Sequence, residues 1–357
     1  FLNSKPDPEP LADAQFALAR CQLGLKQVQP ATQTMNALLK QNPNYPRADD
    51  VYYELGFAYL ELEDNKQAIA AFTTLANKLP DSPRAAESAY RVGELEEQAN
   101  RFAEAAVAFQ LGLQRPGEVV VREKLFYRLG NLQYQQKQHN EAVATFEKQL
   151  AEIPTGELSF AAIYLSGESR FAQKQFRQAL DTYSRIVESK AETAREFQAR
   201  ALYRGGVCAS QLSDWPLSEQ RFAALVQQFP KFQQQGEARY GLGVAMQNQK
   251  KLDQAKSVFQ KITVDLPDTE TAAKSWFMMG QCCFAQKQFA EAIDCFSEVA
   301  FGFKHPEWQP LSYFEAGRCY VQLKNVTAAR KMLTAVVEEF PKHARVKDAQ
   351  AILKQLK

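Results

Sequence analysis

The sequence predicts an all-α, right-handed solenoid of about nine helix-turn-helix repeats closed by a C-terminal helix. Four columns of residues predict it. Eight of the 16 glycines, Gly56, Gly93, Gly130, Gly167, Gly206, Gly243, Gly280 and Gly317, follow one another at 37-residue intervals, apart from a single interval of 39, and Ala19 stands one step earlier. Twelve positions after each lies a small residue (Ala31, Ala68, Ala105, Ala142, Ala179, Ser218, Ala255, Ala292, Ala329), and sixteen positions after lies a large apolar one (Met35, Phe72, Phe109, Phe146, Tyr183, Phe222, Phe259, Phe296, Leu333). Twenty-four positions after, proline recurs at 43, 80, 154, 230, 267 and 341, replaced by Gly117, Ala191 and Lys304. A period between about 20 and 50 residues means stacked supersecondary units. A length of 357 residues agrees, because single hydrophobic cores stop growing at about 250–300.

The elements follow in order. Residues 1–10 begin without Met and hold Pro6, Pro8 and Pro10, so they read as an N-terminal extension left by trimming of a longer chain. Residues 11–342 hold the nine repeats. In the third, Ala85–Gln98 spaces its apolar residues by three and four, Asn100 marks a turn, and a second helix from Phe102 carries Ala105, Phe109 and Leu113 on one stripe. Glycine within a helix costs about 1 kcal/mol relative to alanine. Its recurrence therefore predicts a close approach of two helices beside the large apolar residue. The two extra residues and the missing proline around 189–196 predict a bend there. In residues 343–357, Ala349, Ile352, Leu353 and Leu356 share one face opposite Lys347, Asp348, Gln350 and Lys354, the pattern of a capping helix on the last repeat.

Composition excludes several functions. Lys and Arg number 43 against 41 Asp and Glu, a net charge of +2, and basic runs end at two residues, as at Lys250–Lys251, so no phosphate-tracking surface and no nucleic-acid partner is expected. Nothing approaches the roughly 20 apolar residues of a membrane-spanning helix. The three histidines, His139, His305 and His343, fall at loop or exposed positions of different repeats and read as surface residues, not catalytic bases. There is no Cys-x-x-Cys and no His-x-x-x-His, and Gly241-Leu-Gly243 lacks the third glycine of a dinucleotide loop, so no metal and no cofactor is expected. An enzyme is not the reading.

Cys21, Cys208, Cys282 and Cys319 stand two residues after the repeat register, Cys283 occupies the adjacent core column, and Cys295 is in a second helix. Equivalent positions of successive repeats lie about 10 Å apart, beyond the roughly 7 Å reach of a disulfide. Six small buried thiols are expected, with the adjacent pair Cys282–Cys283 a less favoured redox reading.

The four columns resemble the tetratricopeptide repeat, whose consensus places an aromatic, Leu-Gly, Tyr, Ala, Phe, Ala and Pro along 34 residues. The resemblance runs from about Pro10 to Pro341 and departs in its longer period of 37. Segments such as Pro80-Asp-Ser-Pro83 look like the longer repeats of bacterial cell-envelope proteins of the YbgF/CpoB and BamD type. That resemblance implies a periplasmic or cell-envelope location, whereas unpaired thiols fit a cytoplasmic one.

In tetratricopeptide repeats one face of the first helices lines a concave, peptide-binding groove. Here the residue three before each register position is always aromatic: Phe16, Tyr53, Tyr90, Tyr127, Tyr164, Tyr203, Tyr240, Phe277 and Phe314. Tyrosine suits a binding surface, but an aromatic here also packs against the neighbouring repeat. Neighbouring columns on that face carry Asp50, Glu61, Glu87, Glu94 and Glu97 in repeats two and three, without a base at those columns. Lys124, Arg200, Lys274 and Arg318 follow later, against Glu168 and Glu237. Lys124 and Asn131 alone match the Lys/Asn clamp for acidic chaperone tails, so that activity is not expected. The expected function is a non-enzymatic scaffold that takes a peptide or helix of a partner protein, with a basic segment over repeats two and three. The alternative is an architectural or self-associating spacer whose specific function lies in a missing N-terminal region.

Overall fold

The computed structural model describes residues 8–356, which form 19 α-helices, one 3-10 turn and short connections, with no strand among the described residues. Residues 1–7 of the expected extension lie outside them. Pro8 and Pro10 fall in the first turn of α1, where a missing N–H costs nothing.

The chain divides into two compact units, between Gln173 and Lys174. The first holds the pairs α1 (Pro8–Gly24) and α2 (Val28–Gln41), α3 (Ala48–Glu61) and α4 (Asn65–Lys78), α5 (Ala85–Gln98) and α6 (Phe102–Leu113), α7 (Val119–Gln135) and α8 (His139–Glu152), and then α9 (Ser159–Ala172). The second opens with α10 (Phe176–Val187). The pairs α11 (Arg195–Gln211) and α12 (Trp215–Gln228), α13 (Gln235–Asn248) and α14 (Leu252–Asp265), α15 (Glu270–Ala285) and α16 (Phe289–Gly302), and α17 (Trp308–Gln322) and α18 (Val326–Glu339) follow, with α19 (Val346–Gln355) last. The two-residue insertion lies inside the second unit as the 3-10 turn Glu192–Ala194, with Ala194 buried, and runs straight into α11. Where the proline column fails at Gly117 and Ala191, the next first helix has 17 residues instead of the 14 of α3, α5, α9 and α13.

The register glycines do what their spacing predicts. A β-carbon on Gly130 would stand 2.6 Å from the ring of Phe146, and Gly206 meets Phe222, Gly243 meets Phe259, and Gly280 meets Phe296 in the same way. These rings are buried, so each of these pairs is keyed by one aromatic ring lying on a glycine, as are Gly56 with Phe72 and Gly93 with Phe109, whereas in the last pair Leu333 lies on Gly317.

The turn inside each pair repeats a device that the sequence hides. Lys26, Glu63, Asn100, Lys137, Lys174, Ser213, Lys250, Lys287 and Lys324 all have φ of 57 to 64°, the left-handed region that favours glycine. At Lys250 the backbone N–H bonds to the carbonyl of Gln247, and the next N–H, of Lys251, bonds to that of Met246, the paired bonds of a Schellman stop. Lys250→Gly removes the β-carbon clash at the cost of a looser unfolded chain, and is expected to stabilise by about 0.5–1 kcal/mol, read as a higher denaturant midpoint at unchanged slope.

Candidate functional site

The aromatic column packs inward as well as outward. In the first unit the ring centroids of Tyr53 and Phe72 are 6.3 Å apart, of Tyr90 and Phe109 6.1 Å, and of Tyr127 and Phe146 6.3 Å. In the second, Tyr203 lies 6.0 Å from Phe222, Tyr240 5.8 Å from Phe259, and Phe277 5.4 Å from Phe296. Each aromatic therefore rests on the ring that fills its own repeat. At four positions of the column a residue at the start of the next helix pair, or of α19, covers the aromatic from the other side. The Arg47 guanidinium lies 5.1 Å over Phe16, Arg84 4.4 Å over Tyr53, Arg345 5.3 Å over Phe314, and Trp308 5.4 Å from Phe277.

Exposure separates the column by residue type. Phe16, Phe277 and Phe314 are at most 5% exposed, so Phe277 and Phe314 offer no surface to a partner, against the expectation from the sequence. Tyr53, Tyr90, Tyr127, Tyr164, Tyr203 and Tyr240 are half-buried. Burial, reinforced by hydrogen bonds to Glu87 and Glu94, pushes Tyr53 and Tyr90 up to about 12, and burial alone does the same for Tyr240. In the unfolded chain these phenols ionise near the ordinary 10. Their contribution to stability is complete below about pH 10 and is lost as the pH rises toward about 12. The phenolate absorbance of these three tyrosines, read as the difference between the chain and its Tyr53→Phe, Tyr90→Phe and Tyr240→Phe variants, is therefore expected to appear together with loss of the helical circular dichroism signal, not before it.

The acidic residues of repeats two and three are not the uncompensated patch that the sequence suggested. Asp50 accepts from Arg47 at 3.0 Å and Arg84 at 2.9 Å. Burial pushes its pKa up, but the two arginines outweigh that and hold it below the usual carboxylate range. Arg91 spans Glu87 at 3.3 Å and Glu94 at 2.9 Å, and Arg128 reaches Glu97 at 3.1 Å. The Tyr90 hydroxyl donates to Glu94 at 2.8 Å. Tyrosines, carboxylates and arginines thus form one lattice along α3, α5 and α7. Arg91 and Arg128 both stand two residues before a register glycine, a column outside the face drawn from the sequence. The spacing of Arg91 from Glu87 (i+4) and Glu94 (i−3) was the available signal. Beyond this lattice, Lys124 is exposed and Asn131 half-buried on the same columns of α7.

Sequence reasoning also missed an open apolar notch of about 410 Å³ on the second-helix side of the first unit, between α4 and α6, with Ala76, Ala89, Val92, Val107, Ala108 and Leu111 in its lining. Of the expected buried thiols, five are buried, but Cys21 is exposed, because α1, unlike the helices that carry Cys208, Cys282 and Cys319 in the same column, has no helix packed before it among the described residues.

No curated protein matches the sequence. Among solved structures, the C-terminal part of a tetratricopeptide-repeat protein from Cytophaga hutchinsonii is 15% identical and covers 73% of this chain and 98% of its own, with a TM-score of 0.56. The apo form of RapI is 13% identical over 95% of this chain and 99% of its own, with a TM-score of 0.48. YrrB, described as a tetratricopeptide-repeat protein with an unusual peptide-binding site, is 21% identical over 58% and 98%, with a TM-score of 0.45. The first of these likenesses concerns the fold. Family models of the tetratricopeptide repeat match residues 13–45, 53–118, 123–155, 161–189, 237–269, 273–300 and 311–343, well over half of the sequence. The chain belongs to the tetratricopeptide-repeat family.

Proposed function

We propose that the chain is a non-enzymatic scaffold that binds an extended peptide or helix of a partner protein on the first-helix face of the first unit, as family members generally do. The observation that carries this reading is the lattice of half-buried tyrosines and paired charges between Asp50 and Arg128. Tyrosine and arginine dominate binding hot spots because they combine rigid area with polar tips. The lattice also defines the partner's charge. Each carboxylate already holds an arginine, so the field is close to balanced, and a basic segment binds by replacing Arg91 and Arg128 on Glu94 and Glu97. Such exchange is specific in position and weak in long-range steering.

The test is selection of peptides from a random library on the full chain, followed by titration against variants. Glu94→Lys with Glu97→Lys, and separately Tyr90→Ala, are expected to weaken the selected peptides at least tenfold, with helical content unchanged. Unchanged affinity in both variants would sink the proposal. A second reading, self-association, rests on the apolar notch and on Val107, which is 65% exposed beside it. It predicts a concentration-dependent sedimentation coefficient that Val107→Glu abolishes. A cell-envelope location is part of the proposal on the resemblance of the long repeats, and cell fractionation tests it.

A further inference from the structure

Two positions in each repeat face one another across the helix pair: the third and the fifteenth after the register residue. In the first repeat these are Gln22 and Thr34, and the Thr34 hydroxyl donates to Gln22 Oε1 at 3.0 Å. In the fourth they are Gln133 and Thr145, whose hydroxyl donates to Gln133 Oε1 at 2.7 Å. In the eighth they are Cys283 on α15 and Cys295 on α16. The helices approach closely there, because a β-carbon on Gly280, one turn before Cys283, would stand 2.6 Å from the ring of Phe296, the residue after Cys295. The Cys283 thiol also lies 3.9 Å from Oε2 of Glu291, one turn before Cys295 on the same helix. The expectation of isolated thiols compared equivalent positions of different repeats. This pair sits inside one repeat, at non-equivalent positions that the fold brings together.

We propose that Cys283 and Cys295 form a redox modification site, at which a hydroperoxide oxidises the two thiols to a disulfide that staples α15 to α16. The Cys283 sulfur attacks one peroxide oxygen and breaks the O–O bond, giving a sulfenic acid on Cys283 and water. The Cys295 sulfur then attacks that sulfur, breaking its S–O bond, and the departing hydroxide takes the Cys295 proton to leave as a second water. Two thiols and one hydrogen peroxide thus become one disulfide and two waters, the sulfurs losing two electrons to the peroxide.

The surroundings choose between the thiols. The hydrogen bond from Cys295, with Lys256 of α14 helping, outweighs burial and the nearby Glu291 carboxylate and lowers the pKa of Cys283, and the same bond raises that of Cys295. The first proton therefore leaves from Cys283, which makes it the attacking sulfur. Burial pushes the neighbouring Cys282 and Cys319 up to about 12, so both stay protonated and inert. Cys283 and Cys295 are 3% and 7% exposed, which restricts the oxidant to a small molecule entering through local opening.

Trypsin places the two residues on separate peptides, 275–287 and 288–304. The full chain is treated with hydrogen peroxide under native conditions, its remaining thiols are alkylated in denaturant, and it is mapped with and without reduction. The expected result is loss of two of the six alkylatable thiols, a link between those peptides that fragmentation assigns to Cys283, and its release by dithiothreitol. Amide exchange in α15 and α16 is expected to slow at least tenfold in the linked form. Cys282→Ala keeps the link and Cys295→Ala abolishes it. Six alkylatable thiols after treatment, a sulfinic acid at Cys283 without a link, or a link that joins other cysteines would each overturn the proposal, and the unsubstituted chain suffices to read them.

Discussion

Truncating Phe146 to alanine is expected to lower the stability of the first unit by about 3–5 kcal/mol, the range for removing a large buried aromatic. Phe146 is fully buried and lies on Gly130, so its loss opens a cavity at the point where α7 and α8 are keyed together. The companion substitution sharpens the test. Gly130→Ala raises helix propensity by about 1 kcal/mol, yet it drives a methyl group to 2.6 Å from a ring that has nowhere to go. The clash wins, and a net loss of about 1–3 kcal/mol is expected for the single variant. In the Phe146→Ala background the same methyl group enters the cavity, so Gly130→Ala becomes neutral or stabilising. A repeat array need not unfold in one step. The cycle is therefore best read from amide exchange in α7 and α8 together with the denaturant midpoint, and additive losses would show that ring and glycine are not coupled.

Gln149→Leu is expected to act in the opposite direction and to stabilise by about 1–3 kcal/mol, the cost of an unpaired buried polar group. Gln149 is fully buried on α8, and neither its Oε1 nor its Nε2 has a hydrogen-bond partner among the described residues. It occupies the column nineteen after the register, which elsewhere holds Leu38, Leu75, Gly112, Ile186, Leu225, Ile262, Val299 and Val336, all buried. Leucine has a similar volume and no polar atoms, so the substitution restores the column without overpacking. A fall in the denaturant midpoint would mean instead that the amide is satisfied, through a buried water for example.

The helices, their pairing and their keying were legible because they depend on residues with strong local meaning. Glycine under Phe109 or Phe146, and proline after the second helix, can be read from spacing alone. The stops inside each pair were not legible, since a lysine such as Lys250 or Lys287 carries no sign of a left-handed backbone. The tyrosine column was found, but its depth was not: Phe277 and Phe314 differ from Tyr240 by one hydroxyl in the sequence and by their access to a partner in the structure. The charge of the face was misread because arginine is long. Arg84 and Arg128 come from the next repeat, and Arg91 from the next column, to meet carboxylates that looked unpaired. The thiol pair was missed because a column comparison sees only equivalent positions.

The last helix has a consequence of another kind. Arg345, at the N-cap of α19, covers Phe314 as Arg47 covers Phe16 and Arg84 covers Tyr53, and the strings leading to them, Pro43-Asn-Tyr-Pro-Arg47, Pro80-Asp-Ser-Pro-Arg84 and Pro341-Lys-His-Ala-Arg345, share their first and last residues. The ninth repeat thus meets in α19 the same opening that the first and second meet in α3 and α5. A further 37-residue unit spliced between α18 and α19 would find a matching contact on either side, so the array can gain a repeat without changing how its neighbours are covered.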